Sequence, residues 1–337
     1  MITWIIISIF TLITGMIIII NIKNRNSRIK KEQKEDIMKF LYKKSKENQK
    51  VNFESLQLFS KIKTNKLTKI LEEMLKERKI KYDEDNIKLT LDGEKEAKEI
   101  IQKHRRIEKY LFEETSIDVE EIHDVAEKQE HNEEIKINTK NTYECIDPHG
   151  DIITGQETSS YPLLKIIKDI KNIEQIYKIT HIEDEPKEIY KKIVCLDLSP
   201  FDYIKIKNIS SNSITLLTDK GKIIELDYIT AGNIFVNKEE NEEITKMFEE
   251  IEKNITKITT LNELKLKEKG KIIALSFYIR GEERRRLMEL GFIKGSLIEP
   301  IYNNMLGKDP RVYKIKNTMI ALREEQARKI YVMKVNS

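Results

Sequence analysis

The pattern of apolar and polar positions divides the chain into unlike stretches. From Ile2 to Ile20 no side chain is charged, and about 20 such residues at 1.5 Å rise cover a hydrocarbon core of about 30 Å. Residues 21–35 follow with six Lys/Arg against two Glu. Positive charge after the apolar run, not before it, argues against a cleaved leader. It predicts a transmembrane helix over 2–21 and a basic juxtamembrane linker over 22–34, with Lys23, Arg25, Arg28, Lys30 and Lys31 on the cytoplasmic side. The expected placement is the inner (cytoplasmic) membrane, single-pass, with lipid contact through residues 2–31 and every later domain facing the cytoplasm.

Beyond residue 34 the apolar period is helical. Ile37, Phe40 and Leu41 share a face of a helix predicted over 35–49. Phe53–Ile62 and Asn65–Arg78 repeat the pattern, the latter with Leu67, Ile70, Leu71, Met74 and Leu75 at spacings of three and four. The run KIKYDEDNIKLTLDG (79–93) alternates about the acidic turn Asp83–Asn86 and reads as a β-ribbon. Helix, helix–turn–helix and ribbon in that order predict a winged helix over 35–92. Helices are expected at 92–115 and 118–135. The polar stretch 136–160, holding Pro148, Gly150 and Gly155, reads as a linker.

The C-terminal half repeats itself. KIVCLDLSPFDYIKI (192–206) aligns with RLMELGFIKGSLIEP (286–300), and DYITAGNIFV (227–236) with REEQARKIYV (323–332). Two copies of a small β-rich module follow, 161–236 and 261–335, joined by a helix within 237–260. The expected fold class is α+β and multidomain.

Composition narrows the function classes. The 61 Lys+Arg and 57 Asp+Glu leave a charge of only +4, so a nucleic-acid footprint must be local. Cys145 and Cys195 lack CxxC spacing, which excludes a disulfide scaffold and a Cys-rich zinc site. No nucleophile–base pair, phosphate loop or cofactor fingerprint is visible, so an enzyme is not expected. The histidines are more telling. His104 has Glu108 at i+4, His123 has Glu127 at i+4, and His131 has Glu127 at i−4 and Glu130 at i−1. Residues three and four apart share a helical face. Glu127, Glu130 and His131 can therefore converge, as can His104, Glu108 and His123 across two antiparallel helices. Imidazole with carboxylate oxygens suits Mn²⁺ or Fe²⁺ better than thiolate-seeking metals.

These residues carry a resemblance. LTLDGEKEAKEIIQKHRRIEKYLFEE (89–114) followed by IDVEEIHDVAEKQEH (117–131) resembles the metal-dependent repressors of the diphtheria-toxin-repressor and manganese-repressor type: a wing ending LTxxG, a helix ending HRxxE, and a helix with H…[CE]xxEH. DPHGDIITG (147–155) is similar to the PHG-type segment that closes the metal-binding domain of the iron branch. The resemblance implies a helical metal-binding and dimerisation domain over 93–155 and a homodimer. It implies an ancillary site at His104, Glu108 and His123, and a primary site at Glu127, Glu130 and His131 with Asp36 from the first helix. Lys39 stands where the manganese branch has a second first-helix carboxylate, and Fe²⁺ and Mn²⁺ both stay open. The two C-terminal copies resemble the SH3-like barrel of ferrous-iron-transport protein A, through LxxLGxxxGS (287–296) and the closing Ala231–Val236 and Ala327–Val332. In the iron branch such a barrel lends a metal ligand, which points to Glu282 or Glu283.

For DNA, the helix after Lys63 offers Thr64, Asn65, Lys66, Thr68 and Lys69 to a major groove, with Lys61, Lys81 and Lys88 toward phosphates. Asn65 is the base-reading candidate, because its amide pairs bidentately with adenine. The reading is a membrane-anchored, Fe²⁺- or Mn²⁺-dependent regulator binding a double-stranded DNA operator. The alternative is a membrane accessory that does not bind DNA and docks on a ferrous iron transporter through its barrels.

Overall fold

The computed structural model describes residues 2–131, 146–153, 160–169, 173–303 and 309–335, with the side chains of 2–12, 168–169 and 303 outside that set. It is a mixed α+β chain of two compact units, Met1–His104 with Gln129–Ile135, and Arg105–Lys128 with Lys136–Ser337.

In the first unit, helix α1 (Ile2–Lys46) leads into α2 (Phe53–Ser60) and α3 (Thr64–Lys76). Asn52 caps α2 by accepting from the Ser55 amide at 2.9 Å, while the Ser55 hydroxyl accepts from the Asn52 amide at 3.1 Å. Lys61, at φ 54°, ends α2 in the left-handed region and turns the chain toward α3. Strands β1 (Ile80–Asp83) and β2 (Asn86–Leu89) pair antiparallel with Ile80 opposite Leu89. Ile37, Met38 and Leu41 of α1 are buried with Leu56, Leu67, Ile70, Met74, Ile80 and Ile87 in one core. Helix α4 (Leu91–Glu114) then begins against the ribbon, because a Cβ on Gly93 would stand 2.0 Å from the Lys79 carbonyl oxygen.

The expected membrane anchor is corrected here. Among the described residues no helix is long and apolar enough to cross a membrane. The segments read as anchor (2–21) and juxtamembrane linker (22–34) are both parts of α1, and side chains 1–12 of that anchor lie outside the described residues. The inner-membrane placement and the lipid contact through residues 2–31 fall with the anchor.

In the second unit, a 3₁₀ turn at Val119–Glu121 precedes α5 (Ile122–Glu130), so the helix expected over 118–135 stops at Glu130 within the described residues. The stretch expected as a linker is a buried turn over 147–150, flanked by an isolated bridge between Ile146 and Ile152. Residues 136–145 and 154–159 of that expectation, and 132–135 of the expected helix, lie outside the described residues. Next come β3 (Tyr161–Pro162), α6 (Leu163–Asp169), β4 (Ile176–Ile182), α7 (Lys187–Cys195), β5 (Tyr203–Ile209), β6 (Ser213–Thr218), β7 (Ile223–Asp227), α8 (Tyr228–Gly232) and β8 (Ile234–Lys238). Helix α9 (Glu242–Asn254) follows and buries Phe248 and Ile251 against Ile176 and Leu217. The chain closes with β9 (Ile258–Thr260), β10 (Gly270–Leu275), α10 (Gly281–Glu289), β11 (Leu297–Asn303), β12 (Arg311–Ile315), β13 (Thr318–Leu322), α11 (Glu324–Ala327) and β14 (Ile330–Lys334).

The strands form two six-stranded sheets, ordered β3-β8-β4-β5-β6-β7 and β9-β14-β10-β11-β12-β13. The orders are the same once the strands are matched by position, so the sequence repeat is a repeat of topology. Each sheet wraps its own Ile/Leu core, Ile179, Ile204, Ile214 and Ile234 in one and Ile272, Ile298, Ile315 and Ile330 in the other.

Candidate metal centres

In the first unit, α1 alternates core and site residues. Ile37 and Met38 point into the core, while Glu35, Asp36 and Lys39 share the neighbouring face at helical spacing. Glu130 ends α5 and His131 follows it. Asp36, Glu130 and His131 each bring one ligand-type atom to within 4.8 Å of the others. His131 Nε2 lies 3.4 Å from Asp36 Oδ1 and 3.5 Å from Glu130 Oε1. Its Nδ1 lies 2.5 Å from Glu35 Oε2, which orients the ring and leaves Nε2 facing the two carboxylates. Burial opposes a charged ring here, but hydrogen bonds to Asp36 and Glu35 outweigh it and raise the His131 pKa to about 10. The Glu130 carboxylate has no exposure. Lys39 Nζ donates to its Oε1 at 2.7 Å, and His104 Nδ1 lies 2.5 Å from its Oε2. Burial pushes Glu130 up, yet the His104 bond and the Lys39 charge hold it below the usual range.

In the second unit, four elements converge. Glu108 comes from α4, His123 from α5, His149 from the buried turn and Asp184 from the β4–α7 loop. Ligand-type atoms of Glu108, His149 and Asp184 lie within 4.8 Å of one another. His123 Nδ1 is 2.7 Å from Asp184 Oδ2 and 3.0 Å from Glu108 Oε1. His149 Nε2 is 3.7 Å from Glu108 Oε1 and 3.8 Å from Asp184 Oδ2. His149 is only 3% exposed, and among the described residues neither ring nitrogen has a hydrogen-bond partner. A buried, unbonded imidazole between two carboxylates is costly unless something joins them. A divalent cation taking two imidazoles and two carboxylates fits that gap. Burial disfavours charge on His123, but bonds to Asp184 and Glu108 raise its pKa to about 11.

The turn that presents His149 is itself held. Asp147 Oδ1 accepts from the amides of His149 and Asp151, both at 2.9 Å. Gly150 takes φ +97°, and a Cβ there would meet the Thr180 carbonyl oxygen at 2.1 Å. Arg105 Nη1 donates to the Ile152 carbonyl at 2.6 Å, and its Nη2 reaches Asp151 Oδ2 at 3.0 Å. His181 Nδ1 meets the other Asp151 oxygen at 3.2 Å. Burial and the nearby Asp151 and Glu108 charges push Asp147 up to about 7. Asp151 is instead held well below the carboxylate range; burial opposes this, but the His181 bond prevails.

Several expected residues fall elsewhere. Glu127 is exposed on α5 and joins none of the ligand-type groups among the described residues. The helix ends at Glu130, so His131 leaves the helical path on which Glu127 would have been its i−4 neighbour. Glu282 and Glu283 also join no such group among the described residues, and Glu283 Oε1 accepts from Gln326 Nε2 at 2.8 Å. The β-module acid that stands among ligand-type groups is Asp184 of the first copy. Arg280 turns to the end of α4, its Nη1 donating to the carbonyls of Phe112 at 3.1 Å and Leu111 at 3.3 Å, and its Nη2 to that of Ile117. On α3, Thr64, Asn65, Lys66, Thr68 and Lys69 are all exposed around buried Leu67. Lys88 lies on the ribbon, ion-paired to Asp83. Glu35, His149 and Asp184 are the site residues that sequence reasoning did not single out.

Residues 90–154 match the family described as iron dependent repressor, metal binding and dimerisation domain. The helical region is similar to that domain. Residues 259–334 match the FeoA domain. Among solved structures, a manganese-dependent transcriptional repressor in complex with manganese is 20% identical, covers 61% of this chain and 99% of its own, and superposes with a TM-score of 0.53. This likeness shows a shared fold. ScaR with bound Zn²⁺ (22% identical, 61% of this chain and 99% of that one, TM-score 0.48) and T. acidophilum IdeR (19%, 61% and 97%, 0.46) are further similar structures. No curated protein matches the chain. The matched domain is described as metal-binding, and the imidazole and carboxylate groups of both donor sets suit a divalent metal cofactor.

Proposed function

We propose that the chain is a metal-dependent transcriptional regulator that binds operator DNA as a homodimer and responds to Fe²⁺ or Mn²⁺. The observation that carries this reading is the meeting of Asp36, on the first helix of the winged domain, with Glu130 and His131. A divalent ion bound by all three ties the DNA-facing fold to the end of α5, in a region whose matched family is one of metal binding and dimerisation. Without the ion, Lys39 and the charged His131 ring offset the carboxylates, and the joined arrangement competes with others that an ion would not hold. The ion acts only through its greater affinity for the joined arrangement, and about 5.5 kcal/mol of difference moves a 1:99 equilibrium to 99:1.

Glu108, His123, His149 and Asp184 form a second proposed site, where an ion would fasten the first β module to the helices. The exposed α3 surface, Thr64, Asn65, Lys66, Thr68 and Lys69, would enter the major groove, with Lys88 toward the backbone. The test is a gel shift with the full chain. DNA affinity is expected to rise with Mn²⁺ or Fe²⁺ and to lose that response in Glu130→Ala. Equal affinity with and without metal would remove the switch.

A further inference from the structure

We infer that Lys39 is a resident cation that sets how tightly the Asp36–Glu130–His131 site holds a divalent ion, an inference that rests on the metal reading proposed above. The Lys39 ammonium sits 2.7 Å from Glu130 Oε1, the same oxygen that faces His131 Nε2 at 3.5 Å. The other Glu130 oxygen is held at 2.5 Å by His104. The fully buried carboxylate therefore has both oxygens engaged before any metal arrives. An incoming ion must draw Oε1 away from the ammonium or share it with a positive charge a few ångströms off, and either course weakens its binding. Lys39 also has somewhere to go. Its side chain is 19% exposed, and a cavity of about 510 Å³ opens beside the site, lined by Glu35 and Glu130 and by both acids such as Glu96 and Glu99 and lysines such as Lys95 and Lys103. In the metal-free protein the lysine keeps Glu130 paired and so keeps the site folded. In the metal-bound protein it is a surplus charge. The affinity of the site is thus a difference between two cations competing for one oxygen, and the lysine sets the concentration at which metal wins.

The experiment uses the full chain with Glu108→Gln throughout, to silence the second site, and titrates Mn²⁺ against a fluorescent chelator. Lys39→Met is expected to tighten Mn²⁺ by about tenfold, and Lys39→Arg, which keeps the charge, to bind no tighter than the parent. His131→Ala separates the two claims. If it leaves Mn²⁺ affinity unchanged, the metal site itself is refuted. If it weakens Mn²⁺ while Lys39→Met stays within about twofold of the parent, only the role of Lys39 is refuted. Should Lys39→Met fail to fold without metal, acetylation of the parent protein read by mass spectrometry decides. Mn²⁺ is expected to raise modification at Lys39, and an unchanged rate overturns the inference.

Discussion

Acidification is the perturbation that tests the two sites most directly. In the metal-free protein His123 titrates near pH 11 and His131 near pH 10, each held charged by two carboxylates. Both pKa values stand above the ordinary histidine value of about 6.5. These ion pairs therefore stabilise the metal-free fold fully below about pH 6.5, and that contribution is lost as pH rises through about 10–11. A metal ligand must be the neutral ring, so at pH 7 each ion has to expel about one proton. The apparent Mn²⁺ affinity of each site should then rise about tenfold per pH unit, or about a hundredfold from pH 6 to pH 8. Calorimetric titration in two buffers of different ionisation enthalpy counts the protons. Glu108→Gln isolates the first site and His131→Ala the second. Proton release near zero per ion at pH 7, with affinity flat between pH 6 and 8, would refute the placement of these rings as ligands.

Three further outcomes follow from the geometry. Gly150→Ala forces a Cβ to 2.1 Å from the Thr180 oxygen at φ +97°; urea unfolding should show a loss of about 2–3 kcal/mol, with weaker metal binding at the His149 site. Arg280→Lys keeps the charge but loses the fork that serves the Leu111, Phe112 and Ile117 carbonyls; denaturant titration should read about 1–3 kcal/mol of destabilisation. Asp219 is half-buried, its Oδ1 shielded from solvent and unbonded among the described residues, and this burial together with the Asp202 charge pushes the carboxyl up to about 7. Its charge therefore penalises the fold increasingly as pH rises from about 4 to about 7, and thermal melts of Asp219→Asn should show a gain of about 1–3 kcal/mol at pH 8 that fades toward pH 4.

The parts of the fold legible in the sequence are those written as period. Leu67, Ile70, Leu71 and Met74 recur at helical spacing and are all buried, whereas Leu75, one step off that stripe, is 36% exposed. The offset of 94 to 96 residues between the copies reappears as α7 against α10 and β8 against β14. The site is less legible because its donors come from elements that no local pattern relates. Asp184 lies in a loop of a different module from Glu108, and nothing in its neighbourhood marks it. His149 is hidden by composition: Pro148 and Gly150 make the stretch read as a linker, yet Asp147 folds the same residues into a buried turn. Glu127 shows the converse: i−4 spacing places it beside His131 only on a continuous helix, and α5 ends at Glu130. The apolar N-terminal run misleads by its own strength, because composition alone does not mark where one helix hands over to another function within the same 45-residue rod.

That rod has a mechanical consequence. On α1, the side chain offered to an ion (Asp36) and those wedged among the winged-helix interior (Ile37, Met38) are immediate neighbours. Successive residues stand about 100° apart around the helix axis, so the helix cannot turn one of these without turning the other by the same angle. A displacement of the backbone at Asp36 is thus carried straight to the hydrophobic interior beneath α3, with no break in the helix between them.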